Sequence, residues 1–135
     1  MSIPLAIVTG GAGFIGSHMV DLLVSEGFAV RVIDNMTGGH EANLANHAHN
    51  ENVTLERYDI RELDPEGPLF KNVQFVFHFA GIGDIVPSIE HPLDYMDVNI
   101  QGTVRILECA RAAGVQKFVY AASSSCYGLA EVPTK

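Results

Sequence analysis

Apolar and polar residues along this chain fall into blocks that switch between two periods. Leu5-Ala6-Ile7-Val8 is a short unbroken apolar run, which predicts a buried strand. Ile15, Met19, Leu22 and Leu23 then recur at helical spacing and predict a helix with one apolar face. Gly27 stops that helix as the residue after its C-cap. Phe28 to Ile33 reads as a second strand and ends at Asp34. Val53 to Tyr58 alternates apolar and polar, as a strand near a sheet edge does. Val73 to Phe79 is a dense apolar run that suits a strand covered on both faces. Pro87 to Ala113 contains a long helical segment, with Ile100, Val104 and Leu107 at helical spacing and Gly114 closing it. Val115 to Ala122 is the fifth strand. The stretch 35–52 is polar, with several His and Asn residues. It predicts a solvated surface loop with at most one short helix, near Glu41 to His47.

Strands and helices that alternate in this way specify an α/β fold, a doubly wound parallel sheet with helices on both faces. Right-handed crossovers give the strand order 3-2-1-4-5. No repeat, low-complexity tract or linker divides residues 1–135, so they are expected to form a single domain.

Composition narrows the function. The chain has 135 residues, 47% of them hydrophobic, and a formal charge of −8, so one domain with a real core is expected. Its eight basic residues are scattered singly. Without a basic patch to neutralise a phosphate backbone, nucleic acid is excluded as a partner. No apolar run is long enough to span a membrane. The N-terminus lacks the basic region of a signal peptide, and a cytoplasmic location is the default expectation. Cys109 and Cys126 are too few for a disulfide framework or a zinc site, and both are expected to be buried thiols. His40, His47 and His49 do not match a metal-ligand spacing, and no metal site is predicted.

The chemistry begins after the first strand, at Thr9-Gly10-Gly11-Ala12-Gly13-Phe14-Ile15-Gly16. Gly11, Gly13 and Gly16 fit Gly-x-Gly-x-x-Gly, and Gly10, Gly13 and Gly16 fit the related Gly-x-x-Gly-x-x-Gly. A strand, a glycine turn and a helix in that order are what a dinucleotide pyrophosphate requires. The backbone must approach the anion closely, and the helix must offer it free N–H groups. Asp34 stands at the end of the second strand, where an acidic side chain holds the adenosine ribose hydroxyls. A carboxylate there repels a 2′-phosphate. The following Asn35, Met36 and Thr37 include no Lys or Arg to bind one. NAD is therefore favoured over NADP.

Four further motifs lie where ligands bind in such sheets: Tyr58-Asp59-Ile60-Arg61, His78-Phe79-Ala80-Gly81, Asn99-Ile100-Gln101-Gly102-Thr103, and the run from Tyr120 through Ser123-Ser124-Ser125 to Tyr127-Gly128. With the glycine turn, they make the chain resemble the extended short-chain dehydrogenases/reductases, a Rossmann-fold family. Within it the resemblance is strongest to the NAD-dependent nucleotide-sugar epimerases of the UDP-glucose 4-epimerase type, and it covers the whole chain. The resemblance implies that Gly10, Gly13, Phe14, Ile15 and Gly16 form the pyrophosphate turn. It implies that Asp34, Asn35 and Thr37 serve the adenosine ribose, and that Asp59 and Ile60 contact adenine. Phe79, Ala80 and Gly81 would stand beside the nicotinamide half, supported by Asn99, and Ser123 would be the catalytic hydroxyl. The implied substrate is a UDP-sugar or another nucleotide sugar, epimerised through a transient keto sugar. A homodimer is implied for the full-length protein.

In that family a Tyr-x-x-x-Lys pair supplies the acid–base group. No Tyr in this sequence has a Lys four residues later: Tyr127 has Glu131, and Lys135 is preceded by Glu131. The chain is therefore expected to be the cofactor-binding part of a longer enzyme. It would lack the sixth strand and the substrate domain, be inactive alone, and leave Phe77 and Val119 partly uncovered. The alternatives are a nucleotide-sugar decarboxylase or dehydratase of the same family, or a non-catalytic NAD-binding module. Ser124 and Ser125 stand where the dehydratases carry an acidic pair.

Overall fold

The computed structural model describes residues 3–129. Glu131 and Lys135, which stand at the positions compared with the Tyr-x-x-x-Lys pair, lie outside them. Five parallel strands form one sheet: β1 (Leu5–Thr9), β2 (Ala29–Ile33), β3 (Val53–Glu56), β4 (Phe75–His78) and β5 (Lys117–Tyr120). Their order is β3-β2-β1-β4-β5, the order expected from the sequence. β1 is central, with Val8 opposite Val32 on one side and Phe77 on the other. Each strand after β1 is shorter than its apolar run: β2 loses Phe28 at its start, β3 loses Arg57 and Tyr58 at its end, and β4 and β5 are trimmed at both ends, where the chain leaves the ladder.

Helix α1 (Phe14–Ser25) connects β1 to β2. Its inward face is Gly16, Ser17, Val20 and Leu23, not the row through Ile15 and Leu22, which are exposed. The apolar residues of α1 occupy more than one face, and only the sheet's position selects among them. The helix closes in a Schellman motif, with Phe28 N–H donating to the Leu23 carbonyl and Gly27 N–H to the Val24 carbonyl.

The long helical segment is broken into α2 (Ile85–Glu90), α3 (Pro92–Met96), a π-helical turn (Asp97–Gly102) and α4 (Thr103–Ala112). Pro92 begins α3 and provides one break. The inward residues of α4 are Ile106, Cys109 and Ala110, whereas Ile100, Val104 and Leu107 form an outward apolar row. α4 closes on Gly114 with the same Schellman pair, Val115 N–H to the Ala110 carbonyl and Gly114 N–H to the Arg111 carbonyl.

Two cores follow from the alternation of β1. Ile7 points to one face and packs with Ile33, Phe70, Val76 and Ile106. Ala6 and Val8 point to the other and pack with Val20, Leu23, Val30 and Val32 under α1. The polar stretch after β2 forms a short 3₁₀ helix at Glu41–His47, but it is not simply solvated. Leu44 joins the α1-side core, and His47 Nε2 lies 2.7 Å from Asp21 of α1.

β5 is the least covered strand. Val119 is 38% and Tyr120 55% exposed, and Phe77 of β4 is only half-buried. Among the described residues no helix is long and apolar enough to cross a membrane.

Candidate functional site

The site lies at the C-terminal ends of the strands, where β1 turns into α1. Gly10 has φ +67°, and its N–H donates to the Ile33 carbonyl at 2.8 Å. A side chain at Gly10 would place its Cβ 2.8 Å from the Ala80 backbone nitrogen. At Gly16 a Cβ would overlap the Gly10 carbonyl oxygen and come within 2.7 Å of Gly11 Cα. Gly13 is the N-cap of α1 and adds no side-chain cap. The first-turn amides of Phe14 and Ile15 therefore have no side-chain acceptor and present the helix N-terminus to an anion. The side chains of Phe14 and Ile15 themselves point outward, so what these two residues offer is backbone.

Asp34 is 6% exposed. Its Oδ2 accepts the Ala12 N–H at 3.0 Å and its Oδ1 the Met36 N–H at 2.8 Å. One carboxylate thus ties the glycine turn to the loop after β2, and each oxygen keeps a lone pair for a ligand hydroxyl. Gly39 lies against it, since a Cβ there would be 2.8 Å from Asp34 Oδ1. Asn35 Oδ1 accepts the Thr37 N–H at 3.0 Å, and Asn35 Nδ2 donates to Asp59 Oδ2 at 3.1 Å.

Asp59 caps the 3₁₀ turn Ile60–Glu62. Its Oδ1 accepts from Arg61 N–H and Arg61 Nε, each at 2.9 Å, and its Oδ2 from Arg61 Nη2 at 2.8 Å. With Asn35, four donors converge on this carboxylate. The Arg61 guanidinium, above all, holds the Asp59 carboxyl well below the usual carboxylate range. Arg61 Nη1 also donates to Asp97 at 2.7 Å, which joins this corner to the π-helical turn. Ile60, beside Asp59, is a core residue whose buried side chain floors the cavity.

These groups enclose a cavity of about 670 Å³. Gly10, Gly13, Asp34, Asn35, Thr37, Asp59, Ile60, Phe79, Ala80 and Gly81 all line it. A second cavity of about 370 Å³ adjoins it and is lined by His78, Asn99, Thr103, Tyr120 and Ser123. Residues 79–83 border both, as a shared wall. Asn99 clamps that wall, its Oδ1 accepting the Ile82 N–H at 2.9 Å and its Nδ2 donating to the Ile82 carbonyl at 2.8 Å. Ser123 is exposed at the second cavity. Cys109 is buried as expected, but Cys126 is exposed, because it sits in the turn after the uncovered strand β5.

The structure adds residues that sequence reasoning did not assign. The His40 N–H and Asn43 Nδ2 both donate to the Ala12 carbonyl, at 3.0 and 2.7 Å, so the polar loop braces the glycine turn. Thr9, His78 and Thr103 form a hydrogen-bonded row behind the shared wall. Thr9 Oγ1 lies 2.6 Å from His78 Nδ1, and Thr103 Oγ1 lies 2.9 Å from His78 Nε2. His78 is 1% exposed, and burial pushes its imidazole from 6.5 down to about 4. Thr9 and His78 were visible as a hydroxyl and an imidazole ending two apolar runs, but nothing in the sequence shows that they meet.

The profile of the NAD dependent epimerase/dehydratase family matches residues 6–135. The chain belongs to this family. It is 37% identical over 129 residues to "UDP-glucose 4-epimerase 2" of Oryza sativa subsp. japonica, an alignment covering 90% of the chain and 32% of that protein. Among solved structures, it is similar to a UDP-N-acetylglucosamine 4-epimerase from Methanobrevibacter ruminantium in complex with UDP-N-acetylmuramic acid. That likeness has a TM-score of 0.89 at 34% identity and covers all of this chain and 43% of the other. A dTDP-glucose 4,6-dehydratase from Streptomyces venezuelae with NAD bound gives a TM-score of 0.86 at 32% identity, covering 97% of this chain and 43% of that one. The chain thus spans about a third of the curated relative's length.

Proposed function

We propose that residues 1–135 are the NAD-binding domain of an epimerase acting on a UDP-sugar or a related nucleotide sugar. The observation that carries the cofactor reading is the pairing of a turn closed to side chains at Gly10 and Gly16 with the buried Asp34 carboxylate on the rim of the same cavity. The turn accepts a pyrophosphate at the α1 N-terminus. Asp34 has an acceptor site left on each oxygen for the two ribose hydroxyls. Asn35 and Thr37 border that end, and Asp59 with Ile60 borders the base. Phe79, Ala80 and Gly81, which line both cavities, would stand beside the nicotinamide end, at the wall that leads to Ser123. When bound, NAD supplies a hydride acceptor that can return the hydride to the other face of the sugar.

The chain's own part is to bind and orient. The Ser123 hydroxyl hydrogen-bonds the reacting sugar oxygen, and Asn99 keeps the wall beside it in place. With no Tyr-x-x-x-Lys pair in the sequence, residues 1–135 bind without turnover. The outward row Ile100, Val104 and Leu107 continues from exposed Leu93 and Met96. Exposed apolar surface of this kind marks association, and we assign it to the homodimer of the full-length protein. The dehydratase likeness favours a second reading, against which Ser124 and Ser125 replace the acidic pair of those enzymes.

Calorimetric titration tests the cofactor reading. NAD is expected to bind at least about tenfold (about 1.4 kcal/mol) more tightly than NADP, because the buried Asp34 carboxylate repels a 2′-phosphate. Equal affinity, or tighter binding of NADP, overturns the role given to Asp34.

A further inference from the structure

The hydroxyl and imidazole row behind the wall has only one consistent arrangement of protons. Thr103 Oγ1 lies 2.6 Å from the Asn99 backbone carbonyl. A carbonyl only accepts, so the Thr103 hydroxyl proton is committed to it. Thr103 Oγ1 must then accept from His78, which puts a proton on Nε2. Burial disfavours the charged imidazole, and in the neutral ring protonated at Nε2 the Nδ1 is a lone pair. The Thr9 hydroxyl donates to that lone pair, and Thr9 Oγ1 in turn accepts the Ala80 N–H at 3.2 Å.

The two ends of this row are the two pins of the shared wall. Ala80 is held by Thr9. Ile82 is held by Asn99, whose backbone carbonyl is the terminus of the row. Gly81, between them, lies so close that a Cβ would be 3.0 Å from Asn99 Oδ1. Phe118 and Tyr120 of β5 flank the ring, with centroids 5.9 and 5.8 Å away.

We propose that His78 is a positioning residue which, locked as the Nε2–H tautomer, joins β1, β4 and α4 and fixes residues 80–82 as the wall between the two cavities. Its catalytic consequence rests on the cofactor reading above, since that wall is where the nicotinamide end would meet the sugar. His78 borders the second cavity but is only 1% exposed, and its part in this scheme is indirect. It sets where Ala80 and Ile82 stand.

The first test needs no substitution. Imidazole ¹⁵N spectra of the protein separate a protonated ring nitrogen from a bare one. The expected His78 signals are Nε2 protonated and Nδ1 bare, unchanged from pH 8 to pH 6. An Nδ1–H tautomer, or an imidazolium in that range, overturns the proposal.

A second test uses partial replacements read by amide hydrogen exchange. His78→Asn keeps an acceptor near the Nδ1 position for Thr9. It is expected to protect Ala80 while Ile82 exchange rises about tenfold, the effect of one lost buried hydrogen bond. His78→Gln keeps a donor near Nε2 for Thr103 and is expected to show the opposite pattern. Equal loosening of both amides in both variants marks general core damage and overturns the proposal, as does no change in either. The same samples titrated with NAD separate the two readings. A protein that keeps the tautomer and the exchange pattern but binds no NAD refutes the cofactor reading alone. One that binds NAD with the wrong tautomer refutes this inference alone.

Discussion

At the scale of single residues, the site depends on where a side chain is forbidden as much as on where one is present. Gly16 is the sharpest case, because the groups a Cβ would meet are all backbone of the preceding turn and cannot rotate away. Gly16→Ala is expected to destabilise the protein by about 3 kcal/mol, the upper range for overpacking a closed site, and to weaken NAD binding. Gly38→Ala, where a Cβ meets nothing within 4 Å, is expected to change stability by less than about 0.5 kcal/mol. Urea denaturation of the two variants checks the pair. The glycines and Asp34 were legible in the sequence because each serves a local need: a turn, a close approach, or a carboxylate at a strand end. The Thr9–His78–Thr103 row was not legible. Its members belong to three elements, and a hydroxyl's partner is set by the packing of those elements rather than by its neighbours in the chain.

At the scale of elements, strand order and helix ends were readable, and helix orientation was not. The apolar runs and the capping glycines Gly27 and Gly114 mark where elements begin and stop. Which face of a helix turns inward is a tertiary matter when apolar residues lie on more than one side. α4 shows it, with Ile106 and Cys109 in the core and Val104 and Leu107 outside. The π-helical turn before it shifts the register and brings Asn99 to Ile82, a displacement that periodicity does not report. Ile106→Ala is expected to cost about 3 kcal/mol as a buried large-to-small change. Leu107→Ala, its neighbour by one residue, is expected to cost less than about 1 kcal/mol. A reversal of that ranking in thermal or urea unfolding would return the inward face to the row that periodicity suggests.

At the scale of the whole molecule, His78 makes stability depend on pH. Its imidazole is neutral in the fold, with its pKa lowered from 6.5 to about 4 by burial. The unfolded chain therefore binds the extra proton first as pH falls. This contribution is fully present above about pH 6.5 and is lost progressively toward pH 4, on the order of 3 kcal/mol in all. Urea midpoints measured from pH 7.5 to 4.5 are expected to fall, and the fall is expected to be smaller in His78→Gln. Parallel slopes in the two proteins would mean that other groups carry it. Asp59, held ionised by Arg61, adds a loss of stability only at still lower pH.

The central place of β1 has a consequence for the order in which the molecule assembles. Its pairing with β2 closes over α1 alone, so the first βαβ unit needs only short-range encounters. Its pairing with β4 is different, since the Thr9–His78 hydrogen bond joins residues 69 apart in sequence. Closing so long a loop is entropically dear and tends to come late. The glycine turn is thus expected to form early, and the wall that faces it late.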